Sequence, residues 1–95
     1  MTESDDRQHR QAYFNGRVQG VGFRYTVRQL ASELDVSGFV RNLADGRVEL
    51  QVEGKPNEID RLIAAIRDHF GRYITRVDEQ SSPPKRKFSG FEIRH

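Results

Sequence analysis

Two stretches of this chain place apolar residues at helical spacing, and the segments around them alternate at strand spacing. Val27, Leu30, Ala31 and Leu34 fall at i, i+3, i+4 and i+7, and Ile59, Leu62, Ile63, Ile66 and Phe70 repeat the pattern. Each stretch therefore predicts a helix with a single apolar stripe to cover. In residues 12–18, Ala12, Phe14 and Val18 alternate with Tyr13, Asn15 and Arg17, which reads as a half-buried strand. A second strand is expected from Phe39 to Leu43, after Gly38 closes the connection from the first helix. Ala44-Asp45-Gly46 reads as a hairpin turn, because Asp-Gly accepts positive φ at low cost. Val48, Leu50 and Val52 then alternate with Glu49, Gln51 and Glu53. Gly54-Lys55-Pro56-Asn57 breaks that third strand, with Asn57 as the expected N-cap of the second helix. A fourth strand is expected from Tyr73 to Asp78. The loop Ser81-Ser82-Pro83-Pro84 follows, and Phe88 to Arg94 gives a short last strand.

The order is β-α-β-β-α-β with one extra strand. Two helices, each with one apolar stripe, can lie side by side on one face of a single sheet. A chain of 95 residues has room for one domain. Hydrophobic residues make up 35% of it and charged residues 32%, and its mean hydropathy is −0.80, so the core is thin and suits two layers. The expected fold is α+β: a ferredoxin-like βαββαβ two-layer sandwich, an antiparallel sheet with two helices on one face plus a short extra C-terminal strand. Right-handed crossovers place strands one and two parallel, with strand three between them. Residues 1–10, nearly all polar or charged, read as a disordered tail, and residues 11–95 as the domain.

Several function classes drop out. The chain has no cysteine, which removes disulfides, zinc–thiolate sites, iron–sulfur clusters and thiol nucleophiles, and which is compatible with a reducing cytosol. His9, His69 and His95 lie far apart in sequence, so neither a metal site nor a cofactor is expected. No apolar run approaches the roughly 20 residues of a membrane span, and no apolar stretch follows a basic start as in a signal peptide. The isoelectric point of 9.3 suggests nucleic acid, but the net charge is only +2. The single basic run, Lys85-Arg86-Lys87, sits in a loop where such charges are solvated. A cytoplasmic monomer without nucleic-acid or membrane partners is the expectation.

The stretch richest in chemistry is Gly16-Arg17-Val18-Gln19-Gly20-Val21-Gly22-Phe23-Arg24, between the first strand and the first helix. A glycine-rich turn at a helix N-terminus presents unpaired N–H groups, and the helix dipole favours an anion there. Glycine also lets the backbone approach a phosphate closely. Arg24 adds a forked, permanently charged donor matched to phosphate oxygens. The competing reading is a plain strand-to-helix turn with Arg24 solvated. A Walker A loop is excluded, since no Lys-Ser or Lys-Thr pair is present, and Tyr25 stands where a dinucleotide fingerprint needs its third glycine. A phosphocysteine loop would need Cys where Val18 stands. Any phosphate held here must be attacked directly by water.

The fold brings in a second residue. Strands one and two end at the same edge of the sheet, so Asn42 should neighbour the loop at Gly20. An amide there can hold a water in line for attack; equally, Asn42 could simply begin the hairpin turn.

Gly16-Arg-Val-Gln-Gly-Val-Gly-Phe-Arg24 and Gly38-Phe-Val-Arg-Asn42, continuing through Gly46, Val48 and Gly54, closely resemble the two motifs of the acylphosphatase family, in their internal spacing and in their separation. The resemblance spans residues 11–95, departing slightly at Phe14, where an aliphatic residue is usual. It implies a ferredoxin-like fold and metal-independent hydrolysis of small acyl phosphates to a carboxylate and inorganic phosphate. It also implies that the loop Val18, Gln19, Gly20, Val21, Gly22, Phe23 and Arg24 binds the phosphate, with Arg24 as its charged donor and Asn42 orienting the water.

A carboxylate leaves without strong acid catalysis, and neither motif offers a carboxylate or histidine as base. A phosphate oxygen of the substrate is therefore the expected proton acceptor. Two binding modules are the alternatives. A catalytically silent module of the same fold would hold phosphate, another anion or carbamoyl phosphate. An RNA-recognition domain would stack bases on Phe39 and Phe91, but their flanking residues lack the RNA-binding signature.

Overall fold

The computed structural model describes residues 6–95, in the order β1 (Gln8–Gly16), α1 (Phe23–Ala31), β2 (Val36–Asn42), β3 (Val48–Gly54), α2 (Pro56–Phe70), β4 (Ile74–Ser82) and β5 (Phe91–Arg94). The strands form one sheet, ordered β4-β1-β3-β2-β5. β1 and β2 each run antiparallel to β3 between them, hence parallel to each other, as right-handed crossovers require. β4 pairs antiparallel with the outer side of β1.

The expected antiparallel sheet is mixed at its other edge, because β5 pairs parallel with β2. Chain leaving β4 at one edge must cross the whole sheet to reach the other. It does so on the face away from the helices, where the Phe88 ring lies 5.9 Å from both His9 and Phe39. Phe88 thus belongs to the crossing, and β5 starts only at Phe91.

Three local expectations need correction. Gln8, His9 and Arg10, which composition assigns to the tail, belong to β1 and pair with Gly54, Glu53 and Val52. A ladder is built from backbone groups, so polar side chains do not prevent it when they find partners. His9 pairs with Glu53, and Arg10 reaches Asp60 on α2. Residues 1–5, the rest of the expected tail, lie outside the described residues. Gly38 does not close a loop but sits inside β2 with φ +146°, where a Cβ would collide with the Gln51 carbonyl oxygen. The N-cap of α2 is Lys55 rather than Asn57, because Pro56 opens the helix at the position where its fixed φ and missing N–H cost nothing.

The core lies between the sheet and the helix pair. Ala12, Phe14, Val40, Val48, Leu50 and Val52 face inward from the strands, all fully buried. Val27 and Ala31 meet them from α1, and Ile59, Leu62, Ile66 and Phe70 from α2. Phe23 joins the layers: its ring is 5.2 Å from Phe14 and 4.7 Å from Phe70. The parallel ends of β1 and β2, with the start of α1 between them, define the edge where the site lies.

Candidate active site

The loop after β1 leaves the sheet at an irregularity between Asn15 and Gly16, where the pairing with β4 shifts register. Gly20 and Gly22 have φ of +82° and +78°, and a Cβ on either would meet no atom within 4 Å. These glycines are required by backbone conformation, and their bare side is open for close approach. Gly22 is the N-cap of α1, and no side chain caps the helix. The first helical bond runs from the Thr26 N–H to the Gly22 carbonyl at 3.0 Å. The first turn holds no acidic residue, so its free N–H groups and dipole are left for a ligand.

A cleft of about 450 Å³ opens at this end of the molecule. Of the residues predicted from sequence, Val18, Gly20, Gly22, Phe23, Arg24 and Asn42 line it. Val18 and Phe23 are 0% and 2% exposed, so their side chains belong to the core and the loop offers the cleft its backbone.

The Gln19 side chain points elsewhere. Its Nε2 donates to the Leu43 carbonyl at 2.8 Å and to the Arg47 carbonyl at 2.9 Å. These carbonyls flank the β2–β3 hairpin, which Asp45 stiffens by accepting from the Arg47 N–H at 3.1 Å and Nε at 2.8 Å. The Arg47 backbone bond, with the Arg47 side-chain bond and charge, outweighs the opposing effect of burial and holds the Asp45 carboxyl below its usual range. Gln19 therefore ties the loop to the hairpin that carries Asn42. Val21 does not line the cleft; its side chain is 38% exposed.

Arg24 is half-buried at the start of α1. Its Nη1 donates to the Arg94 carbonyl at 3.4 Å and lies 3.1 Å from His95 Nδ1, so the end of β5 braces the guanidinium. At the end of β2, Asn42 Oδ1 is a buried side-chain oxygen with no hydrogen-bond partner. A buried acceptor left unpaired costs about 1–3 kcal/mol, so an oxygen kept this way beside a cleft points to a donor supplied by a ligand or its water.

Tyr25, Arg28, Ile93 and His95 also line the cleft and were not predicted. Arg28 was legible, one helical turn after Arg24. His95 and Ile93 depend on β5 running beside β2, which residue pattern alone does not specify. No Asp or Glu side chain among the described residues lines the cleft, and His95 supplies its one imidazole. Among the described residues no cluster of His, Cys, Asp or Glu is arranged to hold a metal ion, and no helix is long and apolar enough to cross a membrane. On the far face of the sheet, Phe39 is covered by Phe88 and by the guanidinium of Arg94, 4.1 Å from its ring centre. Phe91 packs against the core, so neither ring is an open stacking platform.

Comparison with known proteins agrees with this geometry. The family model described as Acylphosphatase matches residues 10–93. An acylphosphatase from Salinibacter ruber is 44% identical over 86 residues, covering 87% of this chain and 88% of its own length. The crystal structure of an acylphosphatase from Bacillus subtilis superposes with a TM-score of 0.84 at 30% identity, covering 93% of this chain and 99% of that one. The structure of an acylphosphatase from Coxiella burnetii also gives 0.84, at 29% identity, covering 99% of this chain and 100% of that one.

Proposed function

This chain belongs to the acylphosphatase family, hydrolases of the carboxyl–phosphate anhydride bond, and on that premise we propose how its own residues cleave small acyl phosphates to carboxylate and inorganic phosphate. The phosphoryl group lies on the N–H groups of the loop from Val18 to Arg24, at the positive end of α1. Arg24 contributes a guanidinium fork to the same oxygens, held in place by the end of β5. As the transition state forms, these preorganised donors meet the charge on the equatorial phosphoryl oxygens.

Asn42 orients the attacking water by accepting its hydrogen bond at Oδ1. The observation that carries this reading is that unpaired, buried oxygen beside the glycine-rich loop. An amide takes no proton at neutral pH, so Asn42 positions the water without acting as a base. The bond from water oxygen to phosphorus forms as the phosphorus–carboxylate bond breaks. The water's proton passes to a phosphoryl oxygen, and the carboxylate leaves as the anion. Among the described residues lining the cleft, His95 is the other candidate acceptor; a base must be unprotonated to take the proton, so His95→Gln should keep the wild-type acidic limb of the pH–rate profile, and loss of that limb would transfer the proton to the imidazole.

Because neither motif supplies a metal ligand, turnover is read as metal-independent, by a cytoplasmic monomer with no nucleic-acid or membrane partner. Benzoyl phosphate hydrolysis by wild type, Arg24→Ala and Asn42→Ala, with and without EDTA, tests the scheme. Arg24→Ala should lose turnover and inhibition by inorganic phosphate together, whereas Asn42→Ala should lose turnover and keep the inhibition. A folded wild type that binds phosphate without turnover would be a silent anion-binding module. Sensitivity to EDTA would overturn the metal-independent scheme.

A further inference from the structure

The cleft continues beyond the residues that hold a phosphoryl group. Tyr25 and Arg28 line it, and both also line a second depression of about 430 Å³ beside β5, together with Gln29, Leu34, Val36 and Phe91. The two hollows share Tyr25 and Arg28 and form one groove along α1. Arg28 lies one turn beyond Arg24 on the same helix face, a separation of about 6 Å. Its guanidinium sits 6.0 Å from the centre of the Tyr25 ring, and no ion pair joins it to any carboxylate of the described residues. α1 itself carries no acidic residue. Tyr25 is 58% exposed, a flat apolar surface at the mouth of the groove.

A dianionic phosphoryl group is already matched by Arg24 and the loop amides, so Arg28 is a second cation without an anion. We propose that Tyr25 and Arg28 form a subsite for the acyl group, selecting acyl phosphates whose short chain ends in a second anionic group. The methylenes lie along the Tyr25 ring and the terminal carboxylate or phosphate meets Arg28. This rests on the phosphoryl group occupying the loop as above.

Succinyl phosphate and butyryl phosphate test it, because both have four-carbon chains and differ in the terminal carboxylate. Wild type should prefer succinyl phosphate in kcat/KM by about two- to fivefold at low salt, the scale of an exposed ion pair, chiefly through a lower KM. The preference should shrink as salt screens the pair. Arg28→Gln should bring the ratio to one and Arg28→Glu should invert it. A ratio within one variant is indifferent to how much of the protein is folded. Turnover of both substrates without preference, or a preference that survives in Arg28→Gln, overturns the subsite alone. No turnover of either by folded wild type overturns the phosphate-site reading with it.

Discussion

The two ends of the third strand treat buried polar groups in opposite ways. Beside the β2–β3 hairpin, Asn42 Oδ1 is buried and unpaired, and Arg28, lining the same cleft, has no carboxylate partner among the described residues. At the other end, Glu53 is 4% exposed, and its carboxylate accepts from His9 Nδ1 at 2.8 Å, the Lys85 N–H at 2.6 Å and the Arg86 N–H at 3.0 Å. The remaining ring nitrogen of His9 meets the Gln51 side-chain amide, so both ring nitrogens have polar partners. Glu49, between the two ends, accepts from Arg41 Nε at 2.6 Å and Gln51 Nε2 at 2.7 Å. Arg10 Nε is also buried and unpaired, but its guanidinium meets Asp60 and Gln8 through the terminal nitrogens, so its charge is answered. The difference separates the roles: the satisfied cluster fastens the chain crossing the sheet, and the unsatisfied cleft keeps its groups for substrate.

The largest effect expected from this contrast is kinetic. Asn42→Ala should lower kcat by about 10²–10³, equivalent to roughly 3–4 kcal/mol. Its urea midpoint should stay close to wild type, because the lost oxygen has no partner in the fold. A midpoint lowered as far as in variants of the opposite cluster would make the cleft structural too, and would break the comparison.

Glu53→Ala should do the reverse. It leaves His9 and two backbone N–H groups without their acceptor, at a cost of about 3 kcal/mol in urea unfolding. Folded Glu53→Ala should hydrolyse benzoyl phosphate with wild-type kcat/KM. A rate that falls in step with stability would show that the crossing segment supports the cleft through β5.

Gln19 joins loop and hairpin, so its effect should be mixed and smaller. Gln19→Met keeps the length of the side chain and removes both donated bonds. About 2 kcal/mol of stability should be lost, at roughly 1 kcal/mol per hydrogen bond. kcat should fall about tenfold as the loop and Asn42 lose their common register. Unchanged kcat would limit Gln19 to a structural tie.

Much of this contrast was legible beforehand, but unevenly. Helical and alternating periods located both helices and the β1–β3–β2 centre, since apolar spacing is set directly by which face is buried. Arg24 and Asn42 were legible because a parallel pair of strands puts their following segments at one edge. The satisfied cluster was not. His9 read as tail because its burial depends on Glu53, 44 positions away, and on Phe88 in a loop whose path no local pattern specifies. Gln19 was placed in the phosphate loop by the family resemblance, and that its side chain ties the loop to the hairpin depends on carbonyls 24 and 28 positions away that no local pattern brings near. His95 came into view only with the parallel pairing of β5 on β2.

The smallest effect concerns acid. Burial pushes the Glu53 carboxyl up, but its bonds from His9, Lys85 and Arg86 and the His9 charge outweigh that and bring it below its ordinary 4.5. Burial likewise raises Glu49, and the bonds from Gln51 and Arg41 outweigh it, leaving that carboxyl lowered from 4.5 as well. A carboxyl whose folded value lies below its unfolded value stabilises the fold above the unfolded value, and that stability is lost as pH falls through the folded one. The urea midpoint of wild type should therefore begin to fall as pH drops below about 4.5. In Glu53→Gln part of this acid dependence is missing, so the stability gap between wild type and variant should be widest at neutral pH and close on acidification. Asn42→Ala should follow the wild-type curve, because among the described residues no Asp or Glu side chain lines the cleft. A gap for Glu53→Gln that stays constant with pH would mean that Glu53 acts through its shape rather than its charge, and that the two ends of β3 differ less than their hydrogen bonds indicate.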